Sequence, residues 1–334
     1  LGVDADEIYF TSGSTESNNL AIRGACLAQR ENPGKIVTST LEHSSVTRTV
    51  RGMRRDLDWD CRYVDAPDGC FDMEQLAEQL QDGPTSLISV MRVQNETGWI
   101  FPIPEIAQLR DELAPGVPLH CDATQAFCKM PVNPREWGVQ LLTAGAHKIG
   151  GPRGIGILYV QRGLPMYTIA FGGNQERGLR SGTEPVFLAV GMAEAVRITA
   201  AHMETDMEYA ASLRERAIEG LKREIPDVVV HAPEGGSPYI LSISVPGLPN
   251  AVSVKYLSGR RVCVSRASAC EENHTTVAPG TWRPKHPLSL QAAGIPLREG
   301  KETLRVSFFH RNTPEDVDRF VAVLAQCARE MRES

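Results

Sequence analysis

The sequence lacks the features that mark membrane and nucleic-acid-binding proteins. No apolar run in its 334 residues approaches the roughly 18 residues that span a bilayer. The net charge is −6, and the 35 Lys and Arg residues are scattered rather than clustered, so electrostatics gives no reason to expect nucleic-acid binding. There is no GxxxxGK loop, internal repeat or low-complexity tract. We therefore expect neither membrane insertion nor a direct nucleic-acid partner.

Paired cysteine motifs are also missing. The eight cysteines form no CxxC pair and no short disulfide framework, which indicates reduced thiols in a reducing compartment. We accordingly expect a cytoplasmic protein without a metal site, in which most cysteines are small buried apolar residues. They are Cys26, Cys61, Cys70, Cys121, Cys128, Cys263, Cys270 and Cys327.

The first two hundred residues alternate short apolar runs with helical patterns. Such alternation predicts an α/β fold, with a mainly parallel sheet covered by helices on both faces. The predicted strands are Glu7–Phe10, Ile36–Thr40, Leu87–Val90, Pro118–Cys121, Gln140–Ala144 and Gly156–Val160. The predicted helices are Glu16–Gln29, Ser44–Arg54, Met73–Gln81 and Pro104–Leu113.

The pattern changes after about Gly182. A long helix is predicted from Glu184 to Arg223, with a break near Ala201-His202, and α+β structure follows. We expect a large domain over residues 1–200 and a smaller C-terminal α+β domain over 201–334. The polar, proline-rich stretch Glu271–Pro287 is predicted to be a long mobile loop. The later predicted elements are Val228–His231, Ile240–Val245, a helix over Ala251–Ser258, Val262–Val264, Thr303–Ser307 and a closing helix from Pro314.

The stretch TSGSTESNNLAIRG, from Thr11 to Gly24, follows a predicted strand and opens a predicted helix. Small hydroxylated residues at a helix start leave backbone N–H groups free, and the helix dipole favours an anion there. Ser14 and Thr15 are therefore candidates for holding a phosphate group. Ordinary capping of the helix accounts for the same two residues.

Asp122 and Lys148 each follow a predicted strand, where α/β sheets bind ligands. A carboxylate there can pair with a cationic ring nitrogen. A lysine can form a Schiff base when desolvation and a cationic neighbour lower its pKa. Each residue also has an ordinary alternative, a turn-forming aspartate and a lysine that reaches water from a loop. Combined with a phosphate site, they are the set that pyridoxal phosphate (PLP) requires.

A series of motifs extends this pattern over nearly the whole chain. In order, they are TSGSTESNNLAIRG, LEHSSV, VQNETGWIFPI, HCDATQAFCKMPV, AHKIGGPRGIGILYV, GGNQERGLRSGTEP, SRASACEEN and LRVSFFHRNT. The set resembles the cysteine desulfurases, which belong to the class V aminotransferase group of fold-type I PLP enzymes. The resemblance implies a fold-type I large domain and conversion of L-cysteine to L-alanine. The sulfur would pass to an enzyme cysteine and then to an acceptor.

The resemblance also implies roles at the cofactor ring. Lys148 would form the Schiff base with PLP, and Asp122 would pair with the ring nitrogen. His43 would stack on the ring and assist proton transfer, although a histidine in that context is more often a helix-start or surface residue. Gln125 would hydrogen-bond the phenolic oxygen of the ring.

Further roles follow for the phosphate and the substrate. Thr15 and His147 would bind the phosphate, and Thr183 would reach the phosphate of a neighbouring subunit, which implies a homodimer with shared sites. Asn95, beside the cofactor, and Arg305 would hold the substrate carboxylate, for which a forked guanidinium is well suited. By itself, Arg305 is more typical of a surface salt bridge.

Cys270, in SRASACEEN, would be the nucleophile that takes the sulfur as a persulfide. Such cysteines need thiolate character and access, and a long loop supplies access. Taken alone, Cys270 is an unpromising nucleophile because Glu271 and Glu272 would raise its pKa. Cys263, in an apolar run seven residues earlier, is expected to be buried and inert.

The chain departs from the family pattern at several points. Gly145 stands where a phosphate-binding serine is usual, so one hydrogen bond is expected to be lost, and Gly150 replaces an aromatic residue. Family members begin earlier, so the chain is expected to be part of a longer protein. The Cys270 loop resembles that of desulfurases serving iron–sulfur scaffolds or thio-modification proteins. Two alternatives stay open: a selenocysteine lyase, which shares most of the motifs, and a non-catalytic dimeric sulfur-transfer scaffold.

Overall fold

The computed structural model describes residues 1–231, 235–266 and 288–333. The chain divides into two compact units. The first unit combines Leu1–Val93 with Phe101–Met203, and the second combines Gln94–Ile100 with Glu204–Ser334.

The first unit is built on a seven-stranded sheet. Its strands are β1 (Ile8–Thr11), β2 (Lys35–Ser39), β3 (Cys61–Val64), β4 (Thr85–Met91), β5 (Leu119–Asp122), β6 (Leu141–Gly145) and β7 (Gly156–Val160). Their order is β1-β7-β6-β5-β4-β2-β3. Strands β2 to β6 pair in parallel, whereas β7 is antiparallel to both β6 and β1. Strand β1 therefore runs in the direction of β6, and the carboxyl ends of all strands but β7 lie at one edge.

Helices cover both faces of this sheet, and its inner strands are accordingly buried. Strands β2, β5, β6 and β7 are buried at every position, as expected when both faces are covered. The helices of the first unit are α1 (Ser14–Ala28), α2 (Ser44–Leu57), α3 (Met73–Gln81), α4 (Ile103–Leu113) and α5 (Val186–Ala201). Helix α1 packs on β4, β5, β6 and β7 and places Leu20, Ile22 and Cys26 in the core. The predicted α/β class with a mainly parallel sheet is confirmed.

One strand of this sheet was not predicted. Strand β3 pairs in parallel with β2 at the end of the sheet, and its residues Arg62 and Tyr63 are only half-buried. An edge strand of four residues that contains an arginine makes no apolar run. The sequence pattern therefore carries no signal for it.

The second unit holds a three-stranded antiparallel sheet in the order β10-β9-β8. Its strands are β8 (Val229–Val230), β9 (Ile240–Ser244) and β10 (Thr303–Ser307). Its helices are α6 (Met203–Glu224), α7 (Asn250–Gly259), α8 (Leu288–Ala292), α9 (Leu297–Gly300) and α10 (Pro314–Arg332). The predicted helix break at Ala201-His202 is confirmed, since α5 ends at Ala201 and α6 begins at Met203. Among the described residues, only α5 and α6 taken together as a bent pair, and no single helix, have the length and apolarity of a membrane span.

The prediction of a strand over Val262–Val264 is wrong. Arg261 adopts a left-handed conformation with φ of 62°, and the chain after it forms one isolated bridge, between Ser265 and Arg305. Among the described residues Val262–Val264 join no ladder, so the run is left partly exposed. The expectation that Cys263 is buried is wrong for the same reason, because its side chain is exposed.

Candidate active site

The predicted cofactor residues of the first unit lie where strands end. Asp122 is the last residue of β5, and His147 and Lys148 form a 3-10 turn (Ala146–Lys148) directly after β6. Ser14 and Thr15 open α1 just beyond β1, and His43 is the N-cap of α2 beyond β2. These strands all end at the same edge, so the sheet gathers residues that are far apart in sequence.

Three hydrogen bonds link His43 to Asp122. His43 Nδ1 lies 2.8 Å from Ser45 Oγ, which accepts from Asn18 Nδ2 at 2.8 Å. The same Asn18 Nδ2 donates to Asp122 Oδ2 at 2.8 Å, and the Thr124 N–H donates to Asp122 Oδ1 at 2.9 Å. Asp122 is thus a buried carboxylate whose two oxygens both accept hydrogen bonds, as a buried charge requires.

This arrangement fixes the tautomer of neutral His43. The backbone N–H of Ser45 donates to His43 Nδ1 at 3.1 Å. The Ser45 hydroxyl accepts from Asn18, so its own hydrogen is available for Nδ1 as well. Because Nδ1 is the acceptor in these contacts, a neutral His43 carries its proton on Nε2. His43 is thus a helix-start residue that also begins the hydrogen-bonded chain to Asp122, and its role at a cofactor stays a prediction.

Two further ionisable side chains are buried beside Asp122. Glu42 Oε1 accepts from Ser39 Oγ at 2.6 Å and from the Met91 N–H at 2.9 Å, and burial raises its pKa to about 8. The Asp122 carboxylate adds to this shift. His120 lies two residues before Asp122 on β5. It is fully buried, and burial lowers its pKa to about 4. Near neutral pH the raised pKa of Glu42 and the lowered pKa of His120 both favour the uncharged form of the side chain.

The turn after β6 lies in a positive environment. Burial lowers the pKa of His147, and the positive charges of Lys148, Lys129 and Arg153 and of a protonated His43 lower it further. Lys148 is half-buried, and His147 keeps part of its surface exposed although its ring is partly desolvated. A neutral imidazole among cationic side chains is suited to donate a hydrogen bond to an anion.

The start of α1 fits closely against this turn. Ser14 Oγ is buried from solvent and has no hydrogen-bond partner among the described residues. A Cβ added to Gly145 would lie 2.4 Å from that oxygen, and 3.2 Å from His147 Nδ1. Thr15, the second predicted phosphate residue, is exposed on the same first turn. A polar atom without a partner at a helix N-terminus is what an anion site requires.

The remaining predicted residues of this unit lie around that centre. Gln125 is half-buried, three residues after Asp122, and its Oε1 accepts from Lys129 Nζ at 3.2 Å. Thr183 is exposed and lines a cavity of about 230 Å³ beside the turn that precedes α1. Thr183 therefore lies near the turn that precedes α1, and its predicted role at the phosphate of a partner subunit stays a prediction.

The two predicted substrate residues lie together in the second unit. Arg305, on β10, donates from Nη1 to the backbone carbonyl of Asn95 at 3.0 Å, and Asn95 is buried. Cys270, the predicted nucleophile, lies outside the described residues, as do Glu271 and Glu272.

Sequence reasoning missed two residues of the hydrogen-bonded chain, Asn18 and Ser45. Asn18 is fully buried four residues after Ser14, on the face of α1 that packs on the sheet. A polar residue at an apolar position of a helical pattern is the signal that identifies it. Ser45 is a helix-start serine in sequence, and only its position beside Asn18 shows its role.

Comparison with known proteins places this geometry in a family. Residues 1–320 match the family model described as "Aminotransferase class-V". The chain belongs to the class V aminotransferase family. A cysteine desulfurase of Nostoc sp. is 33% identical over 335 residues, covering 99% of this chain and 80% of the relative.

Solved structures of the family share the fold. A structure titled "NIFS-LIKE PROTEIN" superposes with a TM-score of 0.88 at 29% identity, over 98% of this chain and 83% of that one. A structure titled "SspA in complex with cysteine" has a TM-score of 0.77 at 29% identity, over 94% of this chain and 84% of that one. The resemblance to class V aminotransferases inferred from the motifs is confirmed, as is the fold-type I architecture.

Proposed function

We propose that this class V aminotransferase is a PLP-dependent cysteine desulfurase that converts L-cysteine to L-alanine and passes the sulfur to an acceptor. The observation that carries the proposal is the Asp122 carboxylate, buried at the sheet edge and held by Asn18 and Thr124. It occurs in a chain that is 33% identical to a curated cysteine desulfurase over almost its full length.

The residues present fit PLP at three points. The buried Ser14 hydroxyl at the start of α1 suits the phosphate, the Asp122 carboxylate suits a protonated ring nitrogen, and the half-buried Lys148 suits covalent attachment. When bound, PLP supplies an aldehyde for the amino group of the substrate and a ring that withdraws electrons. Thr15, His147 and, from a partner, Thr183 complete the phosphate site in this proposal, and Gln125 bonds the phenolic oxygen.

The residues of the site divide the remaining tasks. Asp122 holds a fixed negative charge, because Asn18 and Thr124 satisfy both of its oxygens. His43 would lie against the ring and would have Nε2 available to move a proton, because Ser45 engages Nδ1. Lys148 would hold the cofactor covalently through its side-chain amine.

Asn95 and Arg305 hold the substrate carboxylate in this proposal. The guanidinium of Arg305 is oriented by its hydrogen bond to the Asn95 carbonyl. An oriented guanidinium binds a carboxylate through two parallel hydrogen bonds, which fixes the direction of the substrate as well as its charge. Asn95 would also lie beside the bound cofactor.

Cys270 takes the sulfur of the substrate. Its thiolate attacks that sulfur, an S–S bond forms as the C–S bond of the substrate breaks, and the carbon skeleton leaves as alanine after protonation. The persulfide then passes to a protein acceptor, an iron–sulfur scaffold or a thio-modification protein. We place this chemistry in the cytoplasm, with the cofactor domain at 1–200 and the domain that carries Cys270 at 201–334.

Exposed apolar side chains near Thr183 support a homodimer. Phe171 and Phe187 expose 76% and 77% of their surface, and Val186 and Val190 expose 66% and 63%. Aromatic residues with this exposure mark protein interfaces. A second copy of the chain on these four residues, which we call the apolar patch, would allow Thr183 to reach the site of its partner.

Alanine formation from L-cysteine tests the function. Wild-type protein with PLP and a reductant is expected to form alanine, Cys270→Ala to lose that activity, and Cys263→Ala to retain it, since Cys263 is the matched exposed cysteine. Equal rates for wild type and Cys270→Ala would overturn the persulfide route. Turnover of selenocysteine without turnover of cysteine would identify a selenocysteine lyase instead, and absence of PLP binding would favour a scaffold.

A further inference from the structure

Two glycines create a depression in the sheet beside the start of α1. Gly145 of β6 and Gly156 of β7 are opposite partners in the strand register, so side chains there would project from the same face. A Cβ on Gly156 would lie 2.8 Å from the Cα of Gly13. The turn before α1 therefore occupies space that side chains on these strands would fill.

Ser14 extends into the same depression. Its Oγ lies 2.4 Å from the position of a Cβ on Gly145, which is well inside van der Waals contact. A side chain at residue 145 and the present position of the Ser14 hydroxyl are therefore mutually exclusive. Gly145 is in an extended conformation with φ of −138°, so the backbone does not require glycine there. The neighbouring Ser14 side chain is what requires it.

The Ser14 hydroxyl has no hydrogen-bond partner within the described residues although it is buried from solvent. Buried polar atoms are almost always satisfied, so one that is not marks a group that a ligand completes. This hydroxyl lies at the N-terminus of a 15-residue helix and close to His147, where an anion is favoured.

We infer that positions 14 and 145 share one hydroxyl site, and that α1 supplies through Ser14 the phosphate-binding hydroxyl that β6 lacks at Gly145. The inference rests on the proposed PLP function and deepens it. The sequence predicts that Gly145 costs the phosphate a hydrogen bond. The inference replaces that expectation, because the hydroxyl of Ser14 on α1 supplies the donor instead. It also predicts that a side chain at residue 145 requires a change at residue 14.

Exchange of the hydroxyl between the two positions tests the inference. Apoprotein of the full chain is titrated with PLP and with pyridoxal, which lacks the phosphate, and binding is followed by absorbance. Ser14→Ala is expected to weaken PLP about tenfold, the loss of one hydrogen bond to an anion, and to leave pyridoxal unchanged. Gly145→Ser is expected to weaken PLP through crowding. The double variant Ser14→Ala/Gly145→Ser is expected to bind PLP within about threefold of wild type.

Thermal unfolding without PLP gives a second readout. Ser14→Ala apoprotein is expected to unfold at or above the temperature of wild type, because the deleted hydroxyl lacks a partner among the described residues. Gly145→Ser alone is expected to unfold at a lower temperature, and addition of Ser14→Ala is expected to reverse that loss. A residue needed only for folding would instead destabilise the apoprotein when removed.

Two results would overturn the inference and leave the proposed function in place. They are equal PLP affinity of wild type and Ser14→Ala, and a double variant no better than Gly145→Ser. A wild-type apoprotein that binds neither PLP nor pyridoxal would overturn the proposed function and the inference together, so the two failures are distinguishable.

Discussion

The buried carboxyl of Glu42 should make the folded protein lose stability as the pH rises through the neutral range. Glu42 is 6% exposed, and its Oε1 accepts hydrogen bonds from the Ser39 hydroxyl and the Met91 N–H. Burial raises its pKa from 4.5 to about 8, so the folded protein holds this group protonated near pH 7 while the unfolded chain ionises it. The perturbation we choose is Glu42→Gln, which keeps the acceptor and the shape and removes the titration.

The sign and size follow from linkage. A folded-state pKa above the unfolded value means that the contribution of Glu42 is complete below about pH 4.5 and is lost as pH rises through about 8. The slope is about 1.4 kcal/mol per pH unit while only the folded state is protonated, and it halves near the folded pKa. Between pH 6.5 and 8 the loss is roughly 1.5 kcal/mol. His120 contributes little there and with the opposite sign, because its lowered pKa of about 4 costs stability mainly as pH falls below the unfolded value of 6.5.

Urea denaturation at about four pH values in this window measures the effect. The free energy of unfolding of Glu42→Gln minus that of wild type is expected to increase by roughly 1.5 kcal/mol from pH 6.5 to pH 8. All other titrating groups are common to both proteins and cancel in that difference. The exposed Glu31→Gln is the matched control, for which the difference should not vary with pH. A difference for Glu42→Gln that is flat across the window would refute the conclusion that Glu42 is protonated in the folded protein.

Two further changes test the site and the interface. Asn18→Ala removes a buried donor from the Asp122 carboxylate and should lower the free energy of unfolding by about 2–4 kcal/mol, measured by thermal unfolding of the apoprotein. Asn19→Ala, which loses a bond to a backbone carbonyl in an exposed position, is the control; equal effects of the two would contradict the role of Asn18. Phe187→Asp should halve the mass measured by light scattering, whereas Leu57→Asp, at an exposed apolar residue outside the apolar patch, should not. A dimer that survives Phe187→Asp would exclude the apolar patch as its interface.

Most of the fold could be predicted from the sequence because its signals are local. Strand β7 was predicted with its observed bounds, since five consecutive apolar or small residues are all buried. The helix break near Ala201-His202 also agrees with the prediction, since α5 ends at Ala201 and α6 begins at Met203. The failures are equally local in origin: β3 is a half-buried edge strand with no apolar run, and Val262–Val264 is an apolar run that the fold leaves uncovered.

For the site, the residues that could be predicted are those that follow strands. Asp122 and Lys148 could be predicted, because a strand end is visible in sequence and ligands bind there. The helical pattern marks Asn18 as facing the sheet, but its partners could not be predicted, because Ser45 and Asp122 lie 27 and 104 residues away. Those contacts depend on the packing of α1 on the sheet, which local propensity does not specify. The exposure of Cys263 also depends on tertiary pairing, since among the described residues the run that contains it joins no ladder.

Helix α1 is the element that ties the parts of this site together. Ser14 and Asn18 are four residues apart and therefore lie on the same face of the helix, one turn from each other. The first lies against Gly145 at the end of β6, and the second holds Asp122 at the end of β5 and reaches His43 through Ser45. A shift of α1 along its axis would disturb the proposed phosphate site and the proposed ring site at once. The two contacts therefore fix the position of α1 relative to both strands, and the glycine at 145 is part of that fit.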